Sequence, residues 1–410
     1  MRVAVISVGS FDVQYSDHHI LRDIVVCLLE RNHEVHLIQK QYLETPHYPK
    51  AFEKYLGRRL HVDNIRFEKM PKADLKARYL ADLKYYVKAC RLLKQSRPDK
   101  IFLQSNNTAF LPVFYAKHIL KRPLFYNEQD IFPENAYFAG ILTETNPVYR
   151  AAHVLQSYAY KNAAALSTIS DDMKATIVQR YGIREDKIRV IYNWGHEELK
   201  ARGEAENTFL KKHPKRDGEF RVVYAGNLGR MQNVELLLKT AALLRDQEDV
   251  QFYIIGNGVQ EESLRALARK MTLQNVTFLE MQPLEDVADV YAASDVNVIP
   301  LLNGVIYTAL PSKTADCLLA GKPIITCVDD ESQFAQLVCE AGMLNVCSGS
   351  AQKLGDFILK IKNKEWAQSA DMVLKHRFRR VHNIVETCSM LEYMRMENET
   401  ALRGEWDVTG

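Results

Sequence analysis

The chain has 410 residues, of which 47% are apolar and 26% are charged, and its net charge at pH 7 is +3. This composition is that of a folded globular protein and excludes disordered and fibrous classes, while the small net charge argues against bulk binding to nucleic acid. The length exceeds one ordinary core and predicts two domains of roughly 200 residues each, with a cleft between them.

No part of the sequence has the features of a targeting or membrane-spanning segment. The apolar run at the N-terminus is short, is interrupted by Gly9 and Asp12, and precedes no cleavage pattern, so it does not read as a signal peptide. No run of roughly 18 apolar residues without a charge occurs elsewhere. The seven cysteines are scattered and odd in number, which predicts reduced thiols rather than a zinc site or a disulfide framework. We therefore expect a cytoplasmic protein.

Short β-branched runs alternate with helical patterns through the first half of the chain. Residues 2–8 predict a strand, residues 20–31 a helix with Asp17 as its N-cap, and residues 34–39 a second strand. Further strands are predicted at residues 64–67, 100–103, 123–126, 165–169 and 188–192. This alternation is typical of α/β proteins with a doubly wound parallel sheet, and it assigns residues 1–200 to a Rossmann-like domain.

Residues 72–97 combine basic and apolar side chains at helical spacing. The basic residues include Lys84, Lys88 and Arg91. Two interpretations remain open: a solvated face on a helix that covers the sheet, or a surface attracted to an anionic membrane that carries a lipid-linked acceptor. The second would place the protein peripherally at the inner face of a membrane.

A polar stretch at residues 201–219 separates the first half from a second strand-helix series and predicts a linker. The strands of the second series are predicted at residues 220–225, 250–255, 275–279, 295–299, 322–327 and 343–346. We assign residues 220–370 to a second Rossmann-like domain and residues 371–410 to C-terminal helices. Two such domains place ligand sites at the carboxyl ends of their strands, facing an interdomain cleft.

The turn after the first strand of the second domain is suited to a phosphate. The strand runs into Gly226, Asn227 and Arg230 ahead of a helix. A glycine after a strand lets backbone N–H groups approach a phosphate, and the helix N-terminus adds favourable partial charge. Taken alone, such a glycine also serves as an ordinary turn residue.

A second element, a helix that opens at Ser312 and Lys313, strengthens the prediction. Asp316 follows one turn later on the same face. Lys313 and the helix dipole would meet a diphosphate, and Asp316 would meet ribose hydroxyls. A solvated lysine and a helix-stabilising aspartate need no ligand, but both together, opposite a glycine turn, favour a binding site.

These motifs also carry a resemblance. The chain reads YAGNLG at 224–229, IGNG at 255–258, PSK at 311–313, LAGKPII at 319–325, STISDDM at 167–173 and VIYNW at 190–194. These segments resemble the retaining glycosyltransferases of family 4, over nearly the whole chain. The resemblance implies the GT-B architecture, in which the final helix crosses back onto the first domain. The Pro-Ser-Lys subgroup that the chain resembles acts on bacterial cell-surface polysaccharides, often on lipid-diphosphate acceptors.

The resemblance assigns roles on the donor side. Gly226 and Asn227 would form the phosphate-facing turn, and Arg230 and Lys313 would neutralise the diphosphate. Asp316 would hold the ribose. The remaining donor-side residues are Gly256 and Gly258, near the nucleotide, with Ser312 and Gly304.

The chain departs from the family pattern at one carboxylate. Many relatives carry two glutamates separated by seven residues, and those positions here are Thr308 and Asp316. Because the first carboxylate is missing, we expect residues 304–310 to hold the donor sugar through backbone N–H groups.

On the acceptor side, polar residues follow the strand that ends near Tyr126. Asp130 aligns with an aspartate of the family and is assigned to positioning the acceptor hydroxyl or the donor sugar, with Glu128 as a weaker candidate that can also cap the loop. Gly9, His18 and His19 follow the first strand, where relatives keep a glycine-rich loop; the double-glycine pattern is absent here.

The predicted reaction moves a sugar from a nucleoside diphosphate, with uridine as the family default, to an acceptor hydroxyl with retained configuration. Asp130, Arg230 and Lys313 are the candidate catalytic residues. Because no Asp-x-Asp triplet lies near the motifs, we predict no metal and no cofactor beyond the nucleotide sugar.

Two other functions remain open. A nucleotide-sugar 2-epimerase would need carboxylates poised for proton transfer in the cleft, and a catalytically degenerate binding subunit would agree with the missing carboxylate. The absence of a Gly-x-Gly-x-x-Gly run after either domain's first strand argues against a nicotinamide-dependent dehydrogenase.

Overall fold

The computed structural model describes residues 1–11, 18–68, 75–105, 108–368 and 372–395. Three parts of the sequence-based predictions lie outside these residues: the N-cap Asp17, residues 72–74 of the basic helix, and residues 396–410 of the C-terminal segment.

The first domain contains a seven-stranded parallel sheet in the order β3-β2-β1-β4-β5-β6-β7. Its strands are β1 (Arg2–Ile6), β2 (Glu34–Gln41), β3 (Leu60–Arg66), β4 (Lys100–Gln104), β5 (Leu124–Glu128), β6 (Ala165–Thr168) and β7 (Ile188–Val190). All the strands predicted for this half of the chain are present.

Helices cover both faces of this sheet. They are α1 (His18–Glu30), α2 (Leu75–Ser96), α3 (Phe110–Phe114), α4 (Glu134–Phe138), α5 (Pro147–Asn162) and α6 (Asp171–Tyr181). Successive residues of β1 point to opposite faces, so Val3 and Val5 pack in the cluster that contains α1 while Ala4 and Ile6 pack in the cluster that contains Tyr85 of α2. A strand buried on both faces appears in the sequence as a continuous apolar run, which is why β1 could be predicted from the sequence.

The second domain contains a six-stranded parallel sheet in the order β10-β9-β8-β11-β12-β13. Its strands are β8 (Phe220–Ala225), β9 (Val250–Ile255), β10 (Val276–Leu279), β11 (Val296–Pro300), β12 (Ile324–Cys327) and β13 (Leu344–Val346). Its helices are α8 (Glu235–Leu243), α9 (Glu261–Lys270), α10 (Val287–Ala292), α11 (Lys313–Ala320), α12 (Gln333–Glu340) and α13 (Ala351–Lys362). The prediction of two Rossmann-like domains is therefore confirmed.

The polar stretch between the domains contains a short helix, α7 (Thr208–Lys212). Asn207 caps it, since its side-chain oxygen accepts from the N–H of Leu210 at 2.8 Å. Asp289 of α10 accepts hydrogen bonds from the backbone N–H groups of Arg202 and Thr208, both at 2.8 Å. This part of the predicted linker thus packs on the second domain.

The last two helices, α14 (Met372–Arg377) and α15 (Arg380–Tyr393), return to the first domain. Cys388 and Leu391 are buried in the same cluster as Leu28 of α1. Arg31 Nη1 donates to Glu392 Oε2 at 2.6 Å beside this contact. The predicted crossing of the C-terminal helix onto the first domain is confirmed.

All seven cysteines are free thiols, and four of them are buried. Among the residues that the structure describes, no helix has the length and apolar character needed to cross a membrane.

Candidate active site

Two contacts hold the carboxyl ends of the two sheets opposite each other. After β5, the N–H of Ile131 donates to the carbonyl of Thr308 at 2.9 Å, and Asp130 forms an antiparallel bridge with Ala309. In α6, Asp172 accepts from the N–H groups of Gln333 at 2.8 Å and Phe334 at 2.9 Å. This carboxylate therefore caps the first turn of α12, so that a side chain of the first domain accepts hydrogen bonds from the N-terminal N–H groups of a helix in the second domain.

The glycine loops after β8 and β9 interlock. Gly226 and Gly256 have φ values of +144° and +147°, which glycine adopts freely and other residues rarely do. A Cβ at Gly256 would lie 1.8 Å from the carbonyl oxygen of Gly226, and one at Gly258 would lie 2.4 Å from that of Leu228. The glycines predicted to approach a nucleotide therefore also let two backbone loops approach each other.

Lys313, the first residue of α11, lies directly against the first of these loops. Its Nζ would be 2.7 Å from a Cβ at Gly226, and it lies 3.7 Å from the centre of the Tyr224 ring. Although part of the residue is exposed, Nζ is buried and has no hydrogen-bond partner among the described residues. Burial lowers the pKa of Lys313 to about 7, and Cys317 offsets this effect only in part. The site thus contains an ammonium group with unused hydrogen-bond donors.

The other predicted donor-side residues lie on the same edge of the second sheet. Asn227 and Arg230 follow β8, Ser312 precedes α11, and all three are exposed. Strands β8 and β11 are neighbours in the sheet, so the loops that follow them share one edge. Arg230 and Lys313 provide positive charge at this edge, here called the cationic rim, and Asn227 and Ser312 add neutral hydrogen-bonding groups, so a diphosphate is favoured there.

Asp316 is met by a residue that sequence reasoning missed. The backbone N–H of His196 donates to Asp316 Oδ1 at 2.8 Å, and the His196 ring Nδ1 lies 3.2 Å from Oδ1 and 3.3 Å from Oδ2. His196 follows β7 in residues 191–219, the interdomain segment between the last strand of the first sheet and the first strand in sequence of the second. No local pattern indicates this contact, since the two residues lie 120 positions apart.

The loop between β11 and α11 is the one that we expect to hold the donor sugar through its backbone N–H groups. Five of its backbone N–H groups already donate hydrogen bonds. The N–H of Gly304 donates to Asp329 Oδ2 at 2.9 Å. The other four donate to carbonyls of the same loop and belong to Val305, Tyr307, Thr308 and Ala309. These five groups are thus engaged within the protein, and sugar binding by the backbone of this loop stays a prediction. Gly304 also packs on the first domain, since a Cβ there would lie 2.1 Å from Phe138 Cδ1.

The two acceptor-side carboxylates differ in environment. Asp130 is exposed, whereas Glu128 is 1% exposed. Glu128 Oε2 accepts from Gln156 Nε2 at 2.8 Å and from the Tyr160 hydroxyl. Burial raises the pKa of Glu128 to about 7, against the opposing effect of hydrogen bonds from Ser105 and Tyr160. Glu128 therefore lies beneath the cleft surface, as a support of the loop that carries Asp130.

Gly9, His18 and His19 lie together at the start of α1. A Cβ at Gly9 would be 3.2 Å from His18 Nε2. His19 is buried and donates from Nε2 to the carbonyl of Trp194 at 2.7 Å. Burial, with the nearby His196, lowers the pKa of His19. The acceptor-side loop is thereby connected to the segment between the domains.

One group of described side chains has the spacing of metal ligands: Glu34, His36 and His61, whose ligand atoms lie within 4.8 Å of one another. These residues are at the amino ends of β2 and β3, at the opposite end of the strands from the cleft. The Arg2 guanidinium already pairs with Glu34, at 3.2 Å. This group is therefore separate from the candidate active site.

Comparison with protein families finds two matching models. One, described as a glycosyl transferase 4-like domain, matches residues 18–194, and the other, described as glycosyl transferases group 1, matches residues 219–363. Together they span both domains on either side of the linker.

Individual relatives agree with these matches. The chain is 25% identical over 284 residues, 68% of its length and 70% of the relative's, to the probable glycosyltransferase WbjE of Pseudomonas aeruginosa. It is 25% identical over 181 residues, 44% of either chain, to WcaI of Escherichia coli K12, a putative colanic acid biosynthesis glycosyl transferase. Among solved structures, HepE of Anabaena in complex with UDP and glucose aligns over 96% of this chain and 100% of its own, with a TM-score of 0.69 and 18% identity.

Proposed function

Because the chain belongs to the glycosyltransferases of GT-B fold, we propose that it transfers a sugar with retained configuration from a nucleoside diphosphate to an acceptor hydroxyl. The acceptor is a lipid-linked glycan precursor of a bacterial surface polysaccharide. This acceptor class is supported by the similarity to WcaI, whose description names colanic acid biosynthesis, and by the Pro-Ser-Lys motif.

The observation that carries the donor site is the buried Nζ of Lys313 beside Gly226, which has no hydrogen-bond partner in the part of the chain that the structure describes. A buried ammonium without a hydrogen-bond partner is costly, and an anion that enters the site removes this cost. A diphosphate supplies that anion, with the exposed Arg230 on its solvent side. We assign the nucleotide phosphates to this rim and the ribose to Asp316.

In this mechanism, positive groups stabilise the leaving diphosphate. As the anomeric bond breaks, negative charge grows on the phosphate oxygens, and Lys313 and Arg230 lower the energy of that state. Asp130 lies on the facing edge of the cleft and orients the acceptor hydroxyl or the donor sugar. The leaving phosphate receives the acceptor proton on the same face, so no protein nucleophile is required.

Uridine is the base that we assign, because HepE, a structural neighbour, is described with UDP and glucose. The cationic rim of Lys313 and Arg230 takes the role that a divalent ion has in metal-dependent transferases, so we propose metal-independent transfer. Activity that persists in excess EDTA would support this part of the proposal, and loss of activity restored only by a divalent ion would contradict it.

The surface formed by α2 and α3 fits an anionic membrane. Leu80 and Val87 of α2 and Phe114 of α3 are 56%, 49% and 47% exposed. Four basic residues of α2 are also exposed: Lys84, Lys88, Arg91 and Lys94. Val87, Arg91 and Phe114 line one shallow cleft between the helices. Apolar side chains ringed by lysine and arginine match the boundary between acyl chains and anionic headgroups.

Sedimentation with vesicles tests this surface. We expect binding to vesicles that contain anionic lipid at low salt, and a loss of most of it in Val87→Asp with Phe114→Asp. Val381→Asp, which changes a more exposed valine on α15 (68% exposed), is the control. Equal binding by all three proteins would remove the membrane from the proposal.

The donor site is tested with a panel of nucleotide sugars. We expect a UDP-sugar to raise the melting temperature, and Lys313→Ala to abolish that shift, while Lys239→Ala, at an exposed lysine of α8, keeps it. If no nucleotide sugar binds, the degenerate-subunit function replaces the enzyme. If the donor is converted to an isomer without release of UDP and without an acceptor, the protein is an epimerase.

A further inference from the structure

His196 contacts the donor-side carboxylate with two donors. Its backbone N–H and its ring Nδ1 both lie within hydrogen-bond distance of Asp316, at 2.8 Å and 3.2 Å from Oδ1. A carboxylate only accepts, so Nδ1 carries a proton and donates. One residue of the interdomain segment thus fixes the position of the carboxylate that we assign to the ribose.

The chain reaches Asp316 because residue 195 is glycine. A Cβ at Gly195 would lie 2.8 Å from Asp316 Oδ1, 2.8 Å from Leu319 Cδ1 and 3.1 Å from the carbonyl carbon of Ala315. The two contacts of 2.8 Å are shorter than real Cβ atoms make, and the third is tight. The segment therefore lies directly on α11, and a side chain at position 195 would require Asp316, Leu319 or the backbone next to His196 to shift.

His196 is itself held by the first domain. Its ring packs on that of His19, with centroids 3.8 Å apart. His19 donates to the carbonyl of Trp194 at 2.7 Å, and Trp194 Nε1 donates to Asp23 of α1 at 2.9 Å. The residue that fixes the donor carboxylate is thereby anchored on the helix that follows the acceptor-side loop.

We propose that His196 is a positioning residue for donor binding. It orients Asp316 so that Oδ1 takes the backbone donor and Oδ2 retains capacity for a ribose hydroxyl; the side chain of Asp316 is 16% exposed, which leaves it accessible to the cleft. This inference rests on the proposed function, because it adds a residue to the same donor site. Since His196 is anchored on α1, the strength of donor binding depends on how the two domains are placed.

Two substitutions separate positioning from packing. His196→Leu removes the ring donor, whereas His196→Asn places a side-chain N–H close to the former Nδ1; both keep the backbone bond. We expect the leucine variant to raise the dissociation constant for UDP roughly tenfold, and the asparagine variant to restore most of the affinity. His213→Leu is the matched control, because His213 is a half-buried histidine of the linker that packs on Phe209 with centroids 4.9 Å apart.

A double-mutant cycle tests whether His196 acts through Asp316. In an Asp316→Ala background, His196→Leu should change the UDP affinity by less than twofold, because its partner is already gone. If the two losses multiply instead, His196 acts elsewhere and the proposal is overturned. It is also overturned if the asparagine variant binds UDP as poorly as the leucine variant while both melt like the wild type.

The outcome also distinguishes this inference from the proposed function. If the wild type binds UDP and Lys313→Ala weakens it, but His196→Leu binds as the wild type does, the donor site stands and only the role of His196 fails. If the wild type binds no nucleoside diphosphate, both fail.

Discussion

The ammonium of Lys313 lies 3.7 Å from the centre of the Tyr224 ring and against the backbone of Gly226. The ring face offers this cation some electrostatic stabilisation, but no oxygen accepts a hydrogen bond from it among the described residues. The lowered pKa of Lys313, about 7, follows from this burial. Because Lys313 changes charge near this pH and the donor is an anion, we expect donor binding to depend on pH.

Nucleotide affinity should fall as pH rises above 7. The free site holds Lys313 near half protonation at that pH, while a bound diphosphate favours the ammonium and raises its pKa, so binding takes up a proton. Over the window between the two pKa values, UDP affinity should weaken by up to about tenfold per pH unit. Titration calorimetry from pH 7 to pH 9, above the range where the phosphate itself titrates, measures this slope.

Lys313→Met is the control for that titration, because it keeps the length of the side chain and removes the charge. It should bind UDP weakly and with a flat pH profile.

The lowered pKa of Lys313 affects the stability of the unliganded protein in the opposite direction from UDP affinity. The unfolded chain holds the proton up to about pH 10.4 and the folded chain releases it near 7, so stability should rise with pH across this range. If UDP affinity or stability depends on pH as steeply in Lys313→Met as in the wild type, Lys313 is not the group that causes that dependence.

Gly256→Ala should destabilise the second domain by several kcal/mol. Its Cβ would lie 1.8 Å from the Gly226 carbonyl oxygen, on a backbone with φ of +147°, so both contact and conformation are unfavourable. The loop that faces Lys313 would be displaced, and nucleotide binding should be lost with stability. Urea unfolding checks this, with Gly203→Ala as the control, since nothing lies near that position and its cost should be under about 0.5 kcal/mol. Two similar unfolding curves would contradict the interlocked loops.

The parallel sheets were predictable because their central strands are buried on both faces and so appear as short apolar runs between helices. β1 and β9 show this directly, since four of the five residues of β1 and all six of β9 are buried. The glycine turn and Lys313 were predictable for a related reason: both stand at fixed places relative to a strand end or a helix start, which are local features of the sequence.

The contacts between distant segments could not be predicted in this way. His196 and Asp316 lie 120 residues apart, and nothing near either residue indicates the other. Likewise, α7 forms in a stretch that reads as linker, because Asp289 in another helix accepts hydrogen bonds from Arg202 and Thr208. The sequence indicated which residue types the site contains, and the fold determined which of them are already engaged.

Glu128→Gln should stabilise the protein at alkaline pH. The pKa of this buried carboxyl is raised to about 7, chiefly by burial, so the folded state binds more protons than the unfolded state between about pH 4.3 and 7. Stability should therefore fall across that window as pH rises, by at most about 1.4 kcal/mol per unit. Glutamine still accepts from Gln156 and Tyr160 and carries no charge. Unfolding at pH 5 and pH 8 should show a smaller difference in Glu128→Gln than in the wild type, while Glu262→Gln, at an exposed position of α9, should match the wild type.

Thr308→Glu should not restore the carboxylate that many relatives have at this position. The Thr308 side chain is fully buried, and its hydroxyl donates to the Val305 carbonyl at 3.0 Å within the loop. A glutamate here would have to bury a charge or displace the loop that holds Ile131 of the first domain. We expect a loss of stability on the order of 3 kcal/mol or more and weaker donor binding, as measured by urea unfolding and UDP titration. Thr308→Val, which keeps the shape and removes only the hydroxyl, should cost about 1 kcal/mol and leave UDP affinity within twofold. A stable Thr308→Glu protein with higher turnover would contradict this prediction, because it would show that the loop can place the side chain of residue 308 in the cleft.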